Sequence, residues 1–141
     1  MLFEFVRATE LDKEYLLKLR KKTMTEHLEN AGQFLSEEEH IDRLNHQYKH
    51  SYLVFFAHAK IGMVKYHSNA KELELVQVQI DTQYQAKGYG TAVIKQVMNS
   101  AKDKTINLTV LKSNPAVGLY KKLGFSTVGE DNYEYHMQKE H

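Results

Sequence analysis

Gln85-Ala86-Lys87-Gly88-Tyr89-Gly90-Thr91 is the stretch of this chain whose residue types and spacing could do chemistry. An apolar, strand-like run from Leu73 to Ile80 precedes it, and a helix-like run from Thr91 to Lys102 follows. The first turn of a helix carries N–H groups with no partner inside the helix, and their partial positive charge suits a phosphate. Two glycines at that point let the backbone come close to a ligand. Strand, glycine-containing turn and helix therefore read as an anion cradle, of a size for a pyrophosphate. Lys87 either adds a full charge or is a solvated turn residue. Two better-known cradles do not fit. A P-loop needs Gly-x-x-x-x-Gly-Lys-Ser/Thr, which is absent. A dinucleotide fingerprint needs a third glycine, and Gly88-Tyr89-Gly90 continues as Thr91-Ala92-Val93.

Other chemistry is limited by composition. The chain has no cysteine, which excludes disulfides, thiolate zinc sites and a cysteine nucleophile. His46 and His50 have the i, i+4 spacing of helical metal ligands, but nothing nearby completes a metal motif. A solvated helix face is the preferred reading, and no metal is expected. The formal net charge of +1 gives no basic surplus for nucleic acid. No run approaches a membrane span, and Glu4 and Arg7 interrupt any apolar core of signal-peptide length. With 141 residues, 42% hydrophobic and 26% charged, a single cytoplasmic domain over residues 1–141 is expected.

The elements that must position the cradle follow from periodicity. Phe3 to Val6 reads as a first strand. Thr9 and Asp12 look like a helix N-cap, and Leu11, Tyr15, Leu16, Leu19 and Met24 keep helical spacing to about Leu28. Asn30-Ala31-Gly32 stops that helix. Ser36 with Glu39 is a capping box for a second, sparsely apolar and loosely held helix. Tyr52 to His58, Met63 to His67 and Leu73 to Ile80 read as an antiparallel meander, with turns at Lys60-Ile61-Gly62 and Asn69-Ala70-Lys71. In the last of these strands Leu73 and Leu75 share one alternation phase, whereas Val76, Val78 and Ile80 share the other. A one-residue slip marks a β-bulge, placed near Leu75–Val76, which would splay the strand just before the cradle. Ile106, Leu108 and Val110 form a strand that should pair in parallel through a right-handed crossover. Asn114 and Pro115 open another helix with Ala116, Leu119, Tyr120 and Leu123 on one face, ended by Gly124. Phe125–Val128 and Tyr133–Met137 close the chain as a hairpin.

Gln85-Ala86-Lys87-Gly88-Tyr89-Gly90 matches Gln/Arg-x-x-Gly-x-Gly/Ala and resembles the pyrophosphate loop of the GNAT superfamily of acetyl-CoA-dependent N-acetyltransferases. The element order and Asn114-Pro115-Ala116 followed by Leu119-Tyr120 and Gly124-Phe125 are similar to the same family over nearly the whole chain. One departure is Ala86, where the family often has glycine; a methyl is tolerable there if φ is ordinary. The resemblance implies an α/β (α+β) fold with a mixed, mostly antiparallel twisted sheet of about seven strands flanked by four helices, splayed between strands four and five. It implies acetyl-CoA as co-substrate, its pantetheine against Val78, Gln79 and Ile80 and its pyrophosphate on the amides of Gln85, Ala86, Lys87, Gly88, Tyr89, Gly90 and Thr91. Asn114 matches an asparagine on the pantetheine side, and Tyr120 the tyrosine that protonates the departing CoA thiolate. Glu74, six residues before Ile80, matches the catalytic glutamate of histone-acetylating members. It is also readable as a solvated strand residue, with Glu72, His67 and a water chain as rivals for the base.

The implied activity is direct transfer of acetyl to a primary amine of a small molecule or peptide. A lysine-like amine is neutral in only about one molecule in 2,500 at pH 7, so a base matters. The other function class is an acetyl-CoA-binding sensor without turnover. The acceptor carries no recognisable code, and the oligomeric state is open, a homodimer included.

Overall fold

The computed structural model describes residues 2–141. The chain runs β1 (Glu4–Arg7), α1 (Lys13–Asn30), α2 (Glu37–Asn45), β2 (Ser51–Phe56), β3 (Ala59–Ser68), β4 (Glu72–Ile80), α3 (Tyr89–Asn99), β5 (Thr105–Leu111), α4 (Ala116–Lys122), β6 (Ser126–Glu130) and β7 (Glu134–Lys139). The strands form one sheet in the order β1-β2-β3-β4-β5-β7-β6. Among the described residues only β4 and β5 pair in parallel; the other pairs are antiparallel. The fold class is the one the motifs implied.

Alternation along the strands builds two apolar layers. On one face Val64, Leu73, Leu75, Ile106 and Leu108 pack against Val93, Ile94 and Val97 of α3. On the other, Leu53 and Met63 meet Leu16 and Leu19 of α1 and Leu44 of α2. α2 is better held than its sparse apolar residues suggest. Its capping box is complete, with Ser36 and Glu39 exchanging both bonds. At its other end the buried Lys65 Nζ donates to the carbonyls of Leu44 at 3.2 Å and His46 at 2.8 Å. Those are orphan helix carbonyls, which a cation satisfies well. Burial pushes the Lys65 ammonium down to about 8, helped by nearby Arg20.

Two expectations need correction. The β2–β3 turn lies at Ala57-His58, both with positive φ (49° and 69°), not at Lys60-Ile61-Gly62. Gly62 is instead inside β3, opposite Ile80. A Cβ there would lie 2.0 Å from the Gln79 carbonyl oxygen, so its glycine serves close strand approach. His46 and His50 do not share a helix, because α2 ends at Asn45 and His50 closes a separate 3₁₀ turn, Tyr48–His50, that follows a left-handed Gln47.

The bulge is where the alternation put it. Lys65 pairs with Gln77 and Tyr66 with Leu75, leaving Val76 as the extra residue of β4. Beyond it β4 leaves β5: their pairing runs from Glu72–Thr105 to Leu75–Leu108 and stops. The rest of β4 and of β5 diverges around a slot.

Candidate active site

The slot continues into a cleft of about 390 Å³ lined by Val78, Ile80, Gln85, Gly88, Asn114 and Tyr120, among others. Its floor is the outer edge of β4. Its end is the 85–91 turn. Gln85 Nε2 donates to the Ile80 carbonyl at 2.8 Å, tying the turn back to the strand. Ala86 and Gly88 both have positive φ, 61° and 81°. Ala86 is thus not in ordinary backbone, contrary to the condition set for its methyl, and it holds a left-handed conformation that costs a non-glycine residue about 1 kcal/mol. Alternation of handedness along a turn points successive amides to one side, a concavity suited to anions.

Gly88 is the N-cap of α3 and offers no side-chain cap, so the first-turn amides have no side-chain acceptor. A Cβ added at Gly88 would meet nothing within 4 Å. That open space above an uncapped 11-residue helix fits a pyrophosphate-sized anion. Tyr89, Gly90 and Thr91 also line the cleft. Lys87 is exposed and does not line it. Gln79 is buried, on the face opposite its neighbours Val78 and Ile80.

α4 supplies the far wall. Asn114 Oδ1 accepts from the Ala116 amide at 2.9 Å, so this side chain closes the turn that leads into α4 while its residue lines the cleft. Tyr120 packs edge-to-face on Phe125, ring centroids 5.7 Å apart. Burial pushes its phenol up to about 12, so it holds its proton throughout the neutral range.

Tyr120, Asn114 and Val78 also line a second cavity of about 120 Å³ on the α1 side, with Met24, Gln77 and Glu134. Tyr120 therefore stands where the two spaces meet. Glu74 is not brought there. It lies before the bulge, where β4 still pairs with Asn107 of β5, in a separate cavity of about 210 Å³ with Thr109 and His136. Its side chain is 51% exposed, and His67 Nε2 is 3.7 Å away. Val76 and Thr109 line both cavities.

The carboxyl that shares a cavity with Tyr120 is Glu134, which sequence reasoning did not single out. Burial raises its pKa, with Asp131 adding to the effect and Arg43 opposing it. Only its place in the closing strand Tyr133–Met137 was visible beforehand. That β7 rather than β6 lies against β5 decides its placement.

The sequence matches the acetyltransferase (GNAT) domain model over residues 19–138. The chain belongs to the GNAT acetyltransferase family. It is an acyltransferase fold in full: the PaiA N-acetyltransferase of Thermoplasma acidophilum, solved in complex with coenzyme A, superposes with a TM-score of 0.73 at 18% identity, covering 100% of both chains. The ribosomal-protein-S18-alanine N-acetyltransferase of Escherichia coli gives 0.72 at 16% identity, over 98% of this chain and 93% of that one. N-acetylglutamate synthase of Neisseria gonorrhoeae, complexed with coenzyme A and N-acetyl-glutamate, gives 0.67 at 14%, over 99% of this chain and 35% of that one. No curated protein matches the sequence. Among the described residues no helix is long and apolar enough to cross a membrane, and no group of three or more His, Asp or Glu could hold a metal ion.

Proposed function

We propose that this GNAT acetyltransferase moves acetyl from acetyl-CoA directly to a primary amine, with Tyr120 as the general acid. The observation that carries the reading is the position of Tyr120. It lines both the cleft that ends in the anion cradle and the cavity on the opposite side of the slot. A thioester laid along the slot would expose its sulfur to that phenol and its carbonyl to an amine entering from the α1 side. The backbone of Val78–Ile80 would hold the pantetheine, because this stretch of β4 has no partner on the β5 side. The amides from Gln85 to Thr91 would hold the pyrophosphate, and Asn114 would line the pantetheine's path.

The departing thiolate, with an ordinary thiol pKa of about 8.5, needs a proton in a site sheltered from water. Tyr120 supplies it. The amine must lose a proton before it attacks, and Glu74 would take it only through water, given its separate cavity. The test is thiol release from acetyl-CoA with a panel of primary amines. Release with at least one amine, with acetyl recovered on its nitrogen, is the expected result. Calorimetry showing no acetyl-CoA binding, or binding with no amine turned over, would sink the reading.

A further inference from the structure

Glu134 lines two adjoining cavities: the one it shares with Tyr120, and another of about 420 Å³ that it shares with Arg43, Gln33 and Asp131. Among the described residues its carboxylate makes no hydrogen bond or ion pair. Asp131 is differently placed. Its Oδ1 accepts from the amides of Tyr133 and Glu134, both at 2.8 Å, and its Oδ2 is 3.6 Å from His136 Nε2. That leaves Glu134 as the unengaged carboxylate beside Tyr120. Arg43, exposed on α2, donates to Gln33 Oε1 at 3.1 Å and forms no ion pair among the described residues. Its charge nevertheless acts on Glu134. Glu134, the amide-tied Asp131 and the cationic Arg43 thus face the same cavity, and neither carboxylate closes on the guanidinium.

Resting on the transferase reading above, we infer that the acceptor is a small amino acid, its ammonium held by Glu134 beside Tyr120 and its carboxylate met by Arg43 at the mouth. Each charge of a zwitterion finds its opposite in this arrangement. A diamine would set its second ammonium beside Arg43 with only Asp131, already held by two amides and facing His136, to offset it, and a peptide N-terminus would offer the guanidinium only a neutral carbonyl; both are disfavoured by that mismatch.

The proton accounting closes. The ammonium gives one proton to Glu134, and the freed lone pair forms the C–N bond to the acetyl carbon. The C–S bond breaks with its electron pair on sulfur, which takes the Tyr120 hydroxyl proton. The second proton leaving nitrogen restores the tyrosine, and Glu134 returns its own to solvent. Glu134 is in this account a catalytic residue, and Arg43 sets specificity.

The experiment measures kcat and KM by thiol release for glycine, alanine and lysine, each beside its carboxamide, with putrescine and a free-N-terminal peptide as contrasts. A free amino acid should exceed its carboxamide at least about tenfold in kcat/KM, the weight of one charged hydrogen bond. Arg43→Ala should raise KM for the acid and bring the acid-to-amide ratio near one. Glu134→Gln should lower kcat roughly a hundredfold or more, at parental acetyl-CoA affinity by calorimetry, with Glu134→Asp recovering part. Putrescine or the peptide outperforming every amino acid would overturn the inference while leaving the transferase reading standing. So would an unchanged ratio in Arg43→Ala. A Glu134→Gln variant at the parent rate beside a crippled Glu74→Gln would move the base to Glu74. If no amine releases thiol, the transferase reading itself has failed.

Discussion

Tyr120→Phe keeps the ring on Phe125 and removes only the hydroxyl, so it separates proton donation from packing. Two magnitudes follow. As general acid the hydroxyl should be worth roughly 10²- to 10⁴-fold in kcat, at nearly unchanged acetyl-CoA affinity. As a buried phenol it also ties stability to pH. Its pKa is about 12 in the folded chain against 10.0 ordinarily, and a raised folded pKa gives stability that is whole below pH 10. That stability drains away as pH climbs through 12. Two units at about 1.4 kcal/mol each make about 3 kcal/mol from this one group. Urea unfolding at stepped pH, parent beside variant, should therefore show the parent losing about 2 kcal/mol of this relative to the variant between pH 10 and 12, each titration being half complete at one edge of the window. Tyr15 and Tyr48 are also raised to about 12 and cancel in the comparison. Kinetics add a second check, since no decline in kcat below about pH 11 should belong to Tyr120. A Phe variant that turns over at the parent rate removes Tyr120 from the chemistry. Parallel stability curves would show the phenol is not desolvated.

Gly88→Asp puts a carboxylate into the open space over the α3 amides and should abolish acetyl-CoA binding by calorimetry, whereas Lys87→Ala, on an exposed side chain, should cost little. Ala86→Gly relieves a positive φ of 61° and should change stability by no more than about 1 kcal/mol in the favourable direction, because the unfolded glycine chain is freer; a clear loss on thermal melting would mean the alanine is unstrained. Lys65 has a folded pKa of about 8, below the ordinary 10.5, so it carries its full burial cost below pH 8 and sheds it as pH rises toward 10.5. Lys65→Met should remove a rise in stability of about 3 kcal/mol across that window, measured by denaturant titration, and an unaltered pH curve would contradict the burial.

What was legible in the sequence was whatever rested on local chemistry. A change of phase between Leu75 and Val76 is visible because a strand alternates strictly, so the bulge and the slot came with it. The capping box at Ser36 and the end of α4 at Gly124 (φ 102°) are equally local. Ala57-His58 was not legible as a turn, since neither residue has the usual chemistry for positive φ, and Gly62 drew attention that its tertiary role did not warrant. The handedness of Ala86 was hidden for the same reason. Glu134 was out of reach for another: its neighbours depend on β7 inserting between β5 and β6, a long-range choice that no window of sequence contains. The loose second helix was a misjudgement of this kind too, since Lys65 comes to α2 from a strand 21 residues away from Leu44.

The parting of β4 from β5 leaves raw sheet edges in the interior of the molecule. Edge strands are ordinarily the place where another chain adds itself, and proteins blunt them with charge, proline or cover. Here Val78, Ile80 and Val110 present an apolar margin with no proline and no charged side chain between Leu75 and Ile80. The same margin that would accept an extended ligand would accept an extended peptide. Self-association of the ligand-free protein should therefore be a competitor of catalysis, and saturating ligand should act as an aggregation inhibitor, adding about 2.7 kcal/mol of apparent stability at a hundred times its Kd.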